Sequence, residues 1–257
     1  MHDILELLPS VVAIAREAGA AVMDVYTSDD LGTTYKADSS PVTQADIQSN
    51  NLIIAELQKL TPDIPIISEE SLDAVPDADR LAADTIWLVD PLDGTKGFIA
   101  HNGEFTVNIA LISHGEPVLG VVFAPASNKL YYAAGGKAWR QQDNREPEQI
   151  HVNTTARTPI VVVSRSHLDP ATTAWLEQLG EHQQTAVDSS LKLCYVATGE
   201  ADYYPRLGPI MEWDTAAADA IVRQAGGHVL TYPQREPVTY NKPDMHQPAF
   251  VVSGDVS

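Results

Sequence analysis

Cysteine is almost absent: Cys194 stands alone in 257 residues, which excludes an intrachain disulfide and any cysteine-based zinc site. Within "LKLCYVATG" it reads as a small buried apolar side chain rather than a nucleophile. Long apolar runs are missing too. None approaches the roughly 20 residues that cross a bilayer, so no transmembrane segment is expected. The opening "MHDILELLPSVVAIAREAG" sets Asp3, Glu6 and Pro9 where a signal peptide needs a basic start and an unbroken apolar core. A cytoplasmic protein is the expectation, with peripheral association at the inner membrane left open. Repeats and low-complexity segments are also lacking. Cations are scarce: Lys and Arg number 16 against 35 Asp and Glu, a formal net charge of -19. That balance argues against nucleic acid and anionic lipid as partners. An anionic small molecule binds such a chain only where metal ions or clustered cations reverse the local field.

What is present is an ordinary globular pattern, with 44% hydrophobic residues and enough length for one large domain or two small ones. Residues 5–26 repeat apolar positions at helical spacing, with Pro9 tolerated only near the helix start. A second helix fits "TQADIQSNNLIIAELQKL", with Ile47, Leu52, Ile53, Leu57 and Leu60 as its buried stripe and Pro62 as its stop. "DIPIISEE" and "TIWLVDPLDG" read as short buried strands ending in acid, and residues 104–136 as an antiparallel meander. The polar, unpatterned residues 140–158 suggest a boundary or surface connection. Beyond it, strands in "PIVVVSRSH", "DYYPR" and "FVVSG" alternate with helices in "PATTAWLEQLG", "SLKLCYVATGEA" and "DTAAADAIVRQAGG". Gly226 and Gly227 after the last helix read as its C-cap. The expected organisation is an α+β half over residues 1–150 and an α/β half over residues 151–257.

Three acidic stations lie at element edges: "SEES", "DPLDGT" and "EWDTAAADAI". Strand ends of one sheet lie side by side, so carboxylates placed there converge easily. Taken singly, each Asp also fits a helix cap or turn former, and Asp214 is placed to cap a helix starting at Thr215. Asp90 and Asp93 flank a proline bend that turns both carboxylates and the Leu92 carbonyl toward one point. Several oxygens and no soft ligand describe a site for Mg²⁺, with Mn²⁺ as an alternative. A divalent cation also removes the mutual repulsion of the acids. Gly94 and Thr95 then offer backbone N–H groups to a phosphate, and Thr95 a hydroxyl able to hold a water. Together these parts suit metal-assisted hydrolysis of a phosphomonoester.

"DPLDGTKGF", with "SEES" upstream and "EWDTAAADA" downstream, resembles the inositol monophosphatase-like superfamily of Mg²⁺-dependent, lithium-sensitive phosphatases. The resemblance implies a five-layered αβαβα fold and two or three Mg²⁺ ions. It also implies roles: Glu69, Asp90, Leu92 (through its carbonyl), Asp93 and Asp214 as metal ligands, with Asp90 bridging. Glu70 is expected to face elsewhere. Thr95, with Asp46 as its acidic partner, and Glu69 would hold the water that attacks phosphorus in line.

Outside the metal ligands, "DGTK", "SRSH", "SSLKLC" and "YPRLGPIMEWDTAAADAI" resemble the 3′(2′),5′-bisphosphate nucleotidases, which convert adenosine 3′,5′-bisphosphate to AMP in sulfate assimilation. Candidate substrate contacts are Gly94, Thr95, Lys96, Ser164, Arg165, His167, Ser190, Lys192 and Arg206. Lys96, Arg165, Lys192 and Arg206 are four of the few cations and suit a second phosphate remote from the metals. Each also fits a surface residue or structural ion pair, Arg206 with Asp202 in particular. Gly97, where relatives often carry Glu, leaves open how strictly other phosphates are excluded. The alternatives are an inositol monophosphatase or broad-specificity phosphatase of the same mechanism, and a non-catalytic metal- or nucleotide-binding protein. Monomer and homodimer are equally open.

Overall fold

The computed structural model describes residues 3–36, 40–143, 145–165 and 168–254. Asp3 caps helix α1 (Ile4–Tyr26) by accepting the Leu5 N–H at 2.9 Å, and Val11, Ala15, Ala18 and Val22 are fully buried. Pro9 falls in the second turn, past the position nearest the start that its missing N–H favours. A two-strand hairpin, β1 (Thr34–Tyr35) and β2 (Pro41–Val42), leads to α2 (Gln44–Leu60), which starts in a capping box between Thr43 and Asp46. The buried face of α2 is Ala45, Asp46, Ser49, Asn50, Ile53 and Leu57. Ile47, expected in that stripe, is 39% exposed. It lies six residues from Ile53, which sets the two about 120° apart around the helix.

The first sheet follows: β3 (Ile66–Ser68), a 3₁₀ turn carrying Glu69 and Glu70, α3 (Asp77–Ala82), β4 (Thr85–Asp93) and the five-residue α4 (Thr95–Ile99). The meander β5 (Thr106–Ser113), β6 (Glu116–Ala124), β7 (Lys129–Ala134), β8 (Lys137–Gln142) and β9 (Glu148–Gln149) completes seven strands in sequential order. Only β3 and β4 run parallel; the rest are antiparallel. Residues 140–158 are therefore more than a connection, because they hold the end of β8, all of β9 and the buried Ile150 and Val152.

The second sheet is built from β10 (Ile160–Val163), α5 (Pro170–Leu179), β11 (Gln183–Ala186), α6 (Leu191–Ala197), β12 (Tyr203–Arg206), α7 (Glu212–Gln224), β13 (His228–Thr231) and β14 (Phe250–Ser253). Its order is β11-β10-β12-β14-β13. Helix α7 begins at Glu212, three residues before the expected start, so Asp214 is its third residue rather than its cap. Gly226 is left-handed at φ +90° and the Gly227 N–H returns to the Val222 carbonyl, closing the helix as expected.

Strand alternation explains the layering. On β4, Trp87 and Val89 join a core with α1 and α2, while Ile86 and Leu88 join a core with α6 and α7. On β10, Val162 faces that second core, and Val161 and Val163 face α5 through Leu176. The result is α1/α2, sheet, α6/α7, sheet, α5, which is the five-layered αβαβα arrangement expected. Cys194 is buried in the middle layer.

Candidate active site

At the end of β4 the pairing slips: Asp90 faces Asn108 on β5, and the next paired residue, Asp93, faces Thr106. One extra residue is thus bulged out, and Pro91, which has no N–H for the ladder, lies in the bulge. The Leu92 N–H turns inward to Asp90 Oδ1 at 3.0 Å, and Ser49 Oγ holds the Pro91 carbonyl at 2.8 Å. Gly94 follows at φ +94°, where a Cβ would stand 3.0 Å from the Glu104 carbonyl. Only glycine takes that position without strain.

The bulge meets the other acids. One oxygen each from Glu69, Asp90 and Asp214 lies within 4.8 Å of the others. Burial, then the charges of Glu69, Asp93 and Asp214, raise Asp90 well above the usual carboxylate range. Burial and the charges of Asp93 and Glu69 push Asp214 up to about 8, although the Met211 N–H at 3.1 Å favours its ionised form. Glu69 is raised by burial. Oxygen donors whose protein surroundings penalise their negative charge fit a hard divalent cation.

Asp46 stands beside this cluster. Its Oδ2 accepts the Thr43 N–H at 2.7 Å and the Thr43 hydroxyl at 2.6 Å, leaving Oδ1 3.3 Å from Thr95 Oγ1. Thr95 Oγ1 is also 3.3 Å from the Leu92 carbonyl. The hydroxyl is therefore flanked by two acceptors, and its lone pairs are open to a donor such as water.

Glu70 lies outside the group of three acids, although its carboxylate and that of Glu69 both meet Lys36 Nζ, at 2.5 Å and 2.8 Å respectively. The structure corrects one detail. Arg206 does not pair with Asp202, which is held by Arg157 at 3.1 Å. Arg206 instead donates through Nη2 to the Pro209 carbonyl at 2.6 Å.

The expected substrate contacts divide into groups. Gly94, Thr95 and Ser190 lie at the acid cluster. Ser190 Oγ is 2.7 Å from Asp93 Oδ2 and 2.8 Å from the Asp214 carbonyl. Lys192, only 8% exposed, and Arg206 line a cavity of about 120 Å³ that also touches Asp93 and Asp214. Lys96 is exposed on α4. Ser164 sits at the end of β10 in a small recess that Arg206 shares. Arg165 is exposed, with Nη2 2.6 Å from Glu104 Oε1. His167 lies outside the described residues. At Gly97 a Cβ would stand 2.8 Å from the Asn102 amide, so a longer side chain there would displace Asn102. A larger recess of about 470 Å³ beside Trp175 and Arg235 holds none of these acids.

Three residues escaped the sequence reading. Lys36 occupies the glutamates as described. Tyr204, 2% exposed, lines the same small cavity, and its hydroxyl and Arg206 Nε are both buried without a partner among the described residues. Lys192 Nζ stands 5.6 Å over the Tyr204 ring. Asn108 reaches Ser190 Oγ with its Nδ2 at 2.8 Å. A polar residue inside the apolar run "TVNIAL" was the available signal for Asn108.

Residues 3–252 match the Inositol monophosphatase family. The chain belongs to that family. It is 50% identical over 249 residues to the 3′(2′),5′-bisphosphate nucleotidase CysQ of Escherichia coli K12, covering 96% of this chain and 99% of that protein. Its fold is similar to the crystal structure of CysQ from Bacteroides thetaiotaomicron, with a TM-score of 0.88 and 37% identity over 99% of both chains. An IMPase of Thermotoga maritima is similar at a TM-score of 0.78 and 27% identity, covering 98% of this chain and 93% of that one. Family membership accounts for the shared layers and makes the acid cluster the expected seat of a phosphatase.

Proposed function

We propose that this chain is a phosphoric monoester hydrolase that removes the 3′-phosphate of adenosine 3′,5′-bisphosphate, leaving AMP and phosphate. It is a 3′(2′),5′-bisphosphate nucleotidase, and the reaction clears a by-product of sulfate assimilation in the cytoplasm. The observation that carries the substrate choice is a pair of spare donors, Arg206 Nε and the Tyr204 hydroxyl, buried without a partner among the described residues; with Lys192 they line one cavity bordered by Asp93 and Asp214. Buried donors without acceptors in a chain of net charge -19 suit an anionic group supplied by the substrate. A monophosphate whose only phosphate sits at the acids leaves them unanswered.

Glu69, Asp90, Asp93, Asp214 and the Leu92 carbonyl are the groups that would hold Mg²⁺, as two or three ions, with Mn²⁺ able to substitute. When bound, the cation neutralises charge on the transferring phosphoryl group and lowers the pKa of water. The chain's own residues do the rest. Thr95 Oγ1, whose proton is directed to Asp46 Oδ1 or the Leu92 carbonyl, orients the attacking water by accepting one hydrogen bond from it. Glu69 accepts a second hydrogen bond from that water. The Gly94–Thr95 backbone approaches the phosphate closely because Gly94 has no Cβ. A bond forms from water oxygen to phosphorus while the bond from phosphorus to ribose O3′ breaks; the water gives up a proton to Glu69 or solvent, and O3′ takes one up from solvent to become the 3′-hydroxyl of AMP. Lys192, Tyr204 and Arg206 hold the 5′-phosphate, so the nucleotide is aligned before the chemistry begins.

Phosphate release from adenosine 3′,5′-bisphosphate, inositol 1-phosphate and fructose 1,6-bisphosphate, with and without Mg²⁺, tests the proposal. Preference for the nucleotide is expected. A clear preference for an inositol phosphate would move the reading to an inositol monophosphatase, and no release from any substrate would move it to a binding protein.

A further inference from the structure

Asp90 and Asn108 are cross-strand neighbours on β4 and β5, on the sheet face that looks toward α6 and α7. Further along that face β5 carries Ala110 and Ile112, both in the core. Asn108 breaks the apolar run at 1% exposure. Its Nδ2 donates to Ser190 Oγ at 2.8 Å, while its Oδ1 is buried with no partner among the described residues. An unpaired buried amide oxygen works against folding, and an aliphatic side chain would avoid that cost. The position thus spends stability on a polar group beside the acid cluster.

The geometry of Ser190 shows what the amide does. Asn108 occupies an acceptor lone pair of the hydroxyl, so the Ser190 proton is directed to Asp93 Oδ2 at 2.7 Å or to the Asp214 carbonyl at 2.8 Å. The turn before Ser190 is clamped from the other side. Glu104 Oε2 accepts the Asp188 N–H at 2.9 Å, and Asn102 Nδ2 donates to Asp188 Oδ2 at 3.1 Å. The turn leading to Ser190 and the Ser190 hydroxyl are therefore both held, and the hydroxyl bridges Asp93 from the first sheet to the backbone of Asp214 from α7.

We propose that Asn108 is a positioning residue for divalent-cation binding. Through Ser190 it fixes the orientation of the Asp93 carboxylate, leaving Oδ1 of that aspartate to face the cation. Ser190 then acts as a link in the cage more than as a contact to substrate. The proposal rests on Asp93 and its neighbours being metal ligands, as the proposed function has it.

Calorimetric titration of the full chain with MnCl₂, in the absence of substrate, tests this on the unmodified protein, Asn108→Leu, Ser190→Ala and the double variant, with thermal melts alongside. Groups that orient metal ligands typically contribute 10- to 100-fold to affinity, so each single variant is expected to bind Mn²⁺ about tenfold more weakly. The double variant is expected to be no weaker than the singles, because both residues act through one chain of hydrogen bonds. Mn²⁺ affinity of Asn108→Leu equal to that of the unmodified protein overturns the inference, as does full additivity in the double variant. If Asn108→Leu does not fold, Ser190→Ala decides: unchanged affinity overturns the inference, and tenfold weakening supports it. Absence of Mn²⁺ binding by the unmodified protein would instead remove the metal reading itself, and the inference with it.

Discussion

Lys36 places its ammonium 2.8 Å from Glu69 Oε1, at the carboxylate that belongs to the acid cluster, and 2.5 Å from Glu70 Oε1. Burial pulls the Lys36 pKa down, but its hydrogen bonds and charge interactions with the two glutamates outweigh that and raise it. The lysine therefore competes with a divalent cation for Glu69. A half-exposed pair of this kind is worth about 0.5–1 kcal/mol, so Lys36→Gln is expected to lower the Mg²⁺ concentration for half-maximal activity about two- to fivefold. A Mg²⁺ titration of phosphate release measures it; an unchanged midpoint would remove Lys36 from the metal equilibrium.

Stability without metal depends on pH with a definite sign. Asp90, Asp214 and Glu69 are all raised in the folded protein, Asp214 to about 8. The fold then holds more protons than the unfolded chain between about pH 4 and pH 8, and stability falls as pH rises through that window. In EDTA, the contribution of these acids is expected to lower Tm steadily from pH 5 to pH 8, at about 2–4 °C per kcal/mol lost. Mg²⁺ binds the ionised forms, so its addition should raise Tm more at pH 8 than at pH 5. Thermal melts across this grid would contradict the assignment if the Mg²⁺ effect were the same at both ends.

Asp93 is half-buried at the bulge, and its Oδ2 accepts the Ser190 hydroxyl at 2.7 Å. Asp93→Asn keeps the shape and the Ser190 contact but removes the charge. Activity is expected to fall about 100-fold or more, at least as much as the loss of a group that merely orients a ligand. Circular dichroism should be unchanged, and Tm in EDTA should be no lower than that of the unmodified protein, because a charge that adds to burial in raising Asp90 and Asp214 is gone. An unaffected rate would refute the metal role of Asp93.

Much of this was legible because it is local. The run "WLVD" could only be a strand buried on both faces, and the Pro91 bend after Asp90 pointed to a cluster of oxygens before any partner strand was known. The threonine after Gly94 and the helix beginning at "TQAD" likewise needed no tertiary information. What escaped depends on distant pairing. Lys36 meets Glu69 across 33 residues, and Arg165 is held by Glu104 across 61, so nothing near either cation told a free charge from a paired one. Strand β11 is a largely exposed "QQTA" without alternation, and it forms only because β10 offers an edge. Ile47 was misplaced for a related reason: the buried face of α2 carries Asp46, Ser49 and Asn50, because it looks toward the polar end of β4 rather than a uniform core.

Tyr204 supplies the sharpest separation of stability from function. Its hydroxyl is buried without a partner among the described residues, in the cavity it lines with Lys192 and Arg206, an arrangement that costs the free protein and is relieved by an incoming acceptor. Tyr204→Phe deletes that oxygen and nothing else. The variant is expected to be more stable than the unmodified protein by about 1 kcal/mol in denaturant titration. Its KM for adenosine 3′,5′-bisphosphate should rise about tenfold, with kcat nearly unchanged, because the lost bond to the 5′-phosphate serves binding rather than the reacting centre. On a substrate with a single phosphate the two proteins should be indistinguishable. Equal KM values on the bisphosphate would place the second phosphate elsewhere, and a loss of stability would mean that the hydroxyl has a partner in the folded chain.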